Sequence, residues 1–501
     1  MTSTSDLGGI TDMKKIRLYA VNFVLLLIFS ACTGVKNGSK MAETSTPFDR
    51  AVQPTEGSAP NLSLPTIQNF SLSNGLEVKL VEHHELPLVD IRLVIKSGSF
   101  VDPPGKAGTA SFTADMLDEG TITRDAFEIA DAKDFVGARL GAGSGWDGSF
   151  VFLSTLKKHL DTATEIFADI SLNPTFPSED MEKIRERRLT GILQRKDQPI
   201  TLAALAFAEL VYGDSHPYGS PAGGTRESMK SITKSDLESY YSTYYKSNNA
   251  TLIVVGDVTG SEILPILEKH FGSWESGMIP KEMSYEIPEI NETAFYLVDK
   301  PDAAQSYLYF GHNSISRASE DYINSVVLNM ILGGQFSARM NMNLREDKGY
   351  TYGARTGFSA RKSGGSFSAR ASVKTAVTDS SIIEFLYELR RIRVEHVTVE
   401  ELQHAKNSIV QRLPSGFETP SQIAGVLGSL ILNDLPDDYY NTYGEKIQAV
   451  TMHDIMVTAR KLIDPEHMTL VISGDIAQVK EGIESLNEGK VNIVGEKIMP
   501  E

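Results

Sequence analysis

The sequence predicts an α+β protein made of two copies of one plan, each a mixed sheet with helices packed on it. Three observations carry this. Thr251-Leu-Ile-Val-Val-Gly-Asp257 is matched by Thr469-Leu-Val-Ile-Ser-Gly-Asp475 at an offset of 218 residues. The same offset pairs Thr233 with Thr451, Asp236 with Asp454 and Leu237 with Ile455, without a gap. Each copy reads as a Thr-x-x-Asp helix start, a helix, and a buried apolar strand ending in Gly-Asp. Finally, segments with helical and strand periodicity alternate within both copies.

A chain of 501 residues accommodates two domains of about 220 residues each. Its 41% hydrophobic and 23% charged residues give an ordinary globular balance. A net charge of −17 argues against a nucleic-acid surface and mildly favours neutral or basic peptide partners.

The first 32 residues read as a processing segment. Lys14, Lys15 and Arg17 form a basic start, and Tyr19 to Phe29 an apolar stretch too short to span a bilayer. Phe29-Ser-Ala-Cys32 resembles a bacterial lipobox, with Phe29 where Leu is usual. That resemblance implies a lipoprotein signal peptide over 1–32 and a lipid-modified Cys32. With no Asp after Cys32, it further implies a periplasmic chain anchored to the outer membrane. The other reading is a plain secretory signal with a leftover Cys. Cys32 is the only cysteine, so no internal disulfide is possible. Residues 33–64, rich in Ser, Thr, Pro, Gly and Asn, read as a flexible tether.

The first folded copy is assigned to 65–280, a linker to 281–291 and the second copy to 292–490. In the first, Leu76–Val81 and Val89–Ile95 alternate as strands, with Ser73-Asn-Gly75 as a turn. Residues 107–118, 125–136, 157–171 and 178–196 have helical spacing. In the second, Ala294–Val298 and Ser306–Phe310 read as strands and 319–332 as a helix. His83-His84-Glu85 follows a strand and lacks metal-site spacing, so it reads as a solvated turn.

The chemistry sits in two motifs. Residues 108–121 read Gly-Thr-Ala-Ser-Phe-Thr-Ala-Asp-Met-Leu-Asp-Glu-Gly-Thr. They resemble the zinc helix of the pitrilysin/insulinase-type metallopeptidases, the inverzincins, whose signature is H-x-x-E-H. Gly108, Ala110, Phe112, Met116, Gly120 and Thr121 keep the frame. Ser111 and Asp115 stand at the two His positions and Ala114 at the Glu position. The family's third ligand, a Glu about 76 residues further on, falls at Gly191, inside Glu186–Asp197. Zinc needs about three protein ligands and an open water position. One carboxylate beside Ser, Ala and Gly does not supply them, so no metal is expected on this chain. Asp115, Asp118 and Glu119 fit a solvated helix end better than a carboxylate site, and no G-x-S-x-G elbow, Walker loop or dinucleotide fingerprint occurs.

The second motif runs Gly333-Gly-Gln-Phe-Ser-Ala-Arg-Met-Asn-Met-Asn-Leu-Arg345-Glu-Asp-Lys-Gly-Tyr-Thr-Tyr352. It resembles the family's L-R-E-x-x-G-x-x-Y segment, whose Arg and Tyr reach towards the zinc site. By that resemblance Arg345 and Tyr352 are the catalytic pair, able to donate to a substrate carbonyl and a developing oxyanion. The residues alone equally allow a surface ion pair of Arg345 with Glu346 or Asp347, and a packed Tyr352. Gly141, Ala142, Gly143 and Ser144, within Gly137–Phe152, lie where the family has a substrate-pairing edge strand. A glycine-rich hairpin without a ligand fits the same residues, and Trp146 reads as core. Gly364–Lys374 is the expected counterpart in the second copy.

The resemblance covers roughly 65–490 and implies two homologous half-clamshell domains facing a peptide-holding cleft. It implies the non-zinc subunit of a heteromeric peptidase, paired with a zinc-bearing homologous subunit that acts on peptides. The other reading is an inactive peptide-binding or scaffold protein of the cell envelope.

Overall fold

The computed structural model describes residues 65–195 and 198–495. The signal-peptide, lipidation and tether readings fall on residues 1–64, outside the described residues. The first half contains, in order, β1 (Gln68–Ser71), β2 (Glu77–Glu82), β3 (Leu88–Ile95), α1 (Thr109–Asp115), α2 (Ala126–Phe135), β4 (Arg139–Ser144) and β5 (Ser149–Leu156). Then come α3 (Leu160–Leu172), α4 (Ser178–Arg195), α5 (Pro199–Tyr212), α6 (Arg226–Ser231), α7 (Lys234–Tyr244), β6 (Ala250–Gly256) and α8 (Gly260–Phe271). Residues 272–293 hold no helix or strand, which includes the expected linker.

The second half repeats the plan. It runs β7 (Ala294–Asp299), β8 (Gln305–Ser314), α9 (Tyr322–Leu332), α10 (Arg339–Asn341), a π-helical turn (Met342–Asp347), β9 (Thr351–Arg361) and β10 (Gly364–Lys374). It continues with α11 (Thr378–Val394), α12 (Val399–Arg412), α13 (Pro420–Leu432), α14 (Tyr443–Ala449), α15 (Met452–Leu462), β11 (Thr469–Gly474), α16 (Ile476–Ser485) and β12 (Lys490–Ile493).

The two sheets have equivalent strand orders, β1-β2-β6-β3-β5-β4 and β12-β7-β11-β8-β10-β9. The 218-residue repeat is visible at atomic level. Thr233 and Thr451 both cap their helices, α7 and α15, through reciprocal boxes with Asp236 and Asp454. Satisfying otherwise unpaired N–H groups at the first turn fixes where each helix begins. The strands that follow, β6 and β11, are buried along their whole length because they lie inside their sheets. The outermost strands break the symmetry. β1 precedes its sheet in sequence and pairs antiparallel with β2, whereas β12 follows its sheet and pairs parallel with β7. That last strand carries the second half beyond the expected end at 490.

Each half packs its own helices on one sheet face and borrows a helix for the other. Leu202, Ala206 and Phe207 of α5 pack with Val298, Tyr307 and Val471 of the second sheet. Ile423, Ala424, Leu427 and Leu430 of α13 pack with Val81, Val94, Ile253 and Val255 of the first. The apolar strands β6 and β11 are thus covered on both sides, as their unbroken hydrophobic runs require. Polar contacts reinforce the exchange: Lys79 pairs with Asp437 at 2.8 Å, and Tyr218 Oη accepts from the Ser363 N–H at 3.3 Å. Trp146 lies in this junction rather than in either core, half-buried, with the Arg361 guanidinium 3.7 Å from its ring centroid. No described helix is long and apolar enough to cross a membrane.

Candidate functional site

The degenerate motif forms helix α1, which packs on β4 and β5, with α4 beside it. Helix α1 begins at Gly108, whose φ of 92° is left-handed. A Cβ there would lie 2.8 Å from Gly224 backbone atoms, so both conformation and space require glycine. The Asp102 carboxylate then accepts from the N–H groups of Gly108 (2.6 Å) and Ala110 (2.8 Å). Burial pushes the Asp102 carboxyl up to about 7, against the pull of those N–H groups.

Ser111 and Asp115 are one helical turn apart and face α4. What meets them there is Arg188. Its Nη2 donates to Asp115 Oδ2 at 2.6 Å and to Ser111 Oγ at 2.9 Å, and its Nε donates to Asp115 Oδ2 at 3.0 Å. The guanidinium also stacks on Phe112, 5.1 Å from the ring centroid. Ala114 is fully buried and offers only a methyl group. A Cβ added at Gly191 would meet nothing within 4 Å, so space is present there but a ligand is not. This donor set does not fit zinc: a hydroxyl, a methyl, a glycine, and one carboxylate already committed to a cation. Among the described residues no group of three or more His, Cys, Asp or Glu is placed to hold a metal ion. Asp118 and Glu119 are half-buried rather than solvated, and burial raises both carboxyls. His84 is the solvated side chain expected, half-exposed between Asp257 (2.7 Å) and Glu82 (3.2 Å).

Arg345 and Tyr352 sit on different elements of the second half. Arg345 lies on the π-helical turn, a wide turn common at functional sites. Buried Leu344 anchors that turn and accepts the Tyr350 N–H at 2.9 Å. The Arg345 guanidinium pairs with Glu346 at 3.1 Å and lies over Phe336 at 4.7 Å. The surface ion pair allowed by the residues alone is therefore present. Tyr352 is not the packed tyrosine of that alternative: it stands 90% exposed at the start of β9.

Gly141, Ala142, Gly143 and Ser144 are on β4, the edge strand of the first sheet. The glycines have a reason of their own. Cβ atoms at Gly141 and Gly143 would come within 3.0 Å and 2.8 Å of the Phe152 and Phe150 rings on β5. Leu140, Ala142 and Ser144 turn their N–H and C=O groups away from β5, and no hydrogen bond is recorded from that outer edge among the described residues. Gly364–Lys374 is not the counterpart of β4. It forms β10, between β8 and β9, so β9 is the edge strand there. The outer side of β9 is already occupied: the Ala354 N–H donates to Asn341 Oδ1 at 3.2 Å and the Thr356 N–H to the Gly333 carbonyl at 3.3 Å.

Sequence reasoning missed Arg188, whose one signal was its place one turn before Gly191 on α4. It also missed a cleft of about 600 Å³ between the π-helical turn, α11 and α12. Buried Arg339 and half-buried Glu401 pair across it with two 2.7 Å bonds, beside buried Glu388.

Comparison with known proteins agrees with this architecture. Residues 78–205 match the family model described as insulinase (peptidase family M16), and residues 231–409 the one described as peptidase M16 inactive domain. Together the two spans cover more than half of the chain. The chain belongs to the M16 (insulinase) peptidase family. It is 26% identical to a Bacillus subtilis protein named uncharacterized zinc protease YmxG, over 81% of this chain and 98% of the relative. It is 24% identical to a Helicobacter pylori protein named non-peptidase homolog YmxG, over 75% of this chain and 86% of the relative. Among solved structures, a peptidase M16 inactive domain from Pseudomonas fluorescens superposes with a TM-score of 0.76 at 27% identity, over 82% of this chain and 98% of that one.

Proposed function

We propose that this chain is the non-zinc subunit of a heteromeric bacterial metallopeptidase, inactive alone. It contributes substrate binding and transition-state stabilisation to peptide hydrolysis at the zinc site of a homologous partner. One contrast carries the reading: the donors of the first motif are gone, while the second motif keeps Arg345 and presents Tyr352 to solvent. The Arg345–Glu346 pair does not oppose this role. An exposed pair is worth about 0–1 kcal/mol, so a substrate oxygen competes for the guanidinium at little cost. A Tyr hydroxyl free of intramolecular packing is available to a developing oxyanion. The open outer edge of β4 suits addition of an extended peptide as a further strand. Lipid attachment at Cys32 would hold the chain at the periplasmic side of the outer membrane, where the partner would meet it.

The test is a tagged pull-down from native membranes followed by reconstitution. A stoichiometric partner bearing H-x-x-E-H is expected. With that partner, Arg345→Ala and Tyr352→Phe each lower kcat by about 100-fold or more, the usual effect of losing one oxyanion donor being about 3 kcal/mol. Unchanged activity in both variants refutes the reading. Peptide binding by the isolated protein, with no zinc-bearing partner recovered, favours the alternative of a peptide-binding or scaffold protein of the envelope.

A further inference from the structure

The family places a divalent metal between α1 and α4, and this chain places an arginine there. We propose that the Arg188 guanidinium is the resident cation of the former metal position: it cross-links α1 to α4 and keeps divalent cations out.

The geometry is specific to that role. One nitrogen, Nη2, bridges the side chains at both former histidine positions, 2.9 Å from Ser111 Oγ and 2.6 Å from Asp115 Oδ2. The side chain is only 12% exposed. It is held flat by Phe112, over whose ring Arg185 also lies, at 5.5 Å. Arg185 is fixed in turn by the Ile232 carbonyl at 2.8 Å and the Met229 carbonyl. A planar, permanently charged fork suits this position as a lysine would not. A charge-assisted bond replaces coordination as the tie between helices, and the fixed positive charge repels a divalent ion at contact distance. Space does not exclude metal, since a side chain at Gly191 would enter open volume. Missing donors and an added charge do.

Restoring the family's donors is therefore not enough to restore metal binding. In the full chain, Ser111→His, Asp115→His and Gly191→Glu are combined, once with Arg188 kept and once with Arg188→Leu. Zinc binding is measured by competition with a chromophoric chelator. The quadruple variant is expected to take about one zinc per chain, at least ~30-fold more tightly than the triple variant. Equal affinity of the two overturns the exclusion.

A second measurement needs no installed ligands. In the native background Arg188→Leu and Asp115→Asn each lower Tm by about 3 °C, and the double variant falls no further than either alone. Excess chelator leaves the native Tm in place. Additive losses, or a fall in Tm with chelator, overturn the cross-link, whatever the engineered variants do.

Discussion

At the scale of single residues, the degenerate motif shows two kinds of position. Those that shape the backbone kept their identity, and those that performed chemistry changed. Gly108 is of the first kind, so Gly108→Ala is expected to destabilise the chain by about 2 kcal/mol or more, from a left-handed φ and a clash with Gly224. Urea unfolding checks this, and a loss below about 0.5 kcal/mol refutes it. The survivors were legible in the sequence because backbone geometry demands particular residue types. Arg188 was not, because its role depends on which face of α4 turns towards α1, and periodicity alone does not say what a neighbouring helix presents. Likewise the identity of residues 141–144 as an edge was readable, whereas the second edge was misassigned to 364–374. Both strands of that hairpin are rich in small and polar residues, and only hydrogen-bond pairing tells the inner from the outer.

At the scale of elements, helix α1 carries an unusual cap. Asp102 bonds its first N–H groups from a half-buried position. Its folded pKa, about 7, lies above the ordinary carboxylate value of 3.8. The folded state therefore holds a proton that the unfolded chain releases at lower pH. The stability this group contributes is full below about pH 4 and is lost as pH rises to about 7. Asp102→Asn keeps an acceptor for the cap and removes the titration. The difference in stability between wild type and variant, followed by urea unfolding from pH 4 to 8, should change in that window in the variant's favour. A difference independent of pH refutes the assignment. The helix and strand elements themselves follow the sequence pattern closely: α7 and α15 start at the paired threonines, and expected strands such as 89–95 are found within one residue.

At the scale of the whole molecule, the reciprocal exchange of α5 and α13 makes the two halves one cooperative body. Sequence periodicity alone cannot assign a helix to the other half's sheet, since burial in either sheet leaves the same pattern. Phe207 is nearly fully buried, 4.4 Å from Tyr309 across the exchange. Phe207→Ala should cost about 3–5 kcal/mol and lower one calorimetric transition that includes both halves. Two separated transitions, with only one shifted, would refute the coupling.

The exchange also bears on how the chain is made. The first sheet is complete at Gly256, but the helix that covers its second face begins at Pro420. At about 5–20 residues per second a ribosome needs on the order of ten seconds or more to bridge that interval. Throughout it Val81, Val94, Ile253 and Val255 are synthesised without their lid. A chaperone that shelters apolar strands during this delay should raise the yield of folded protein.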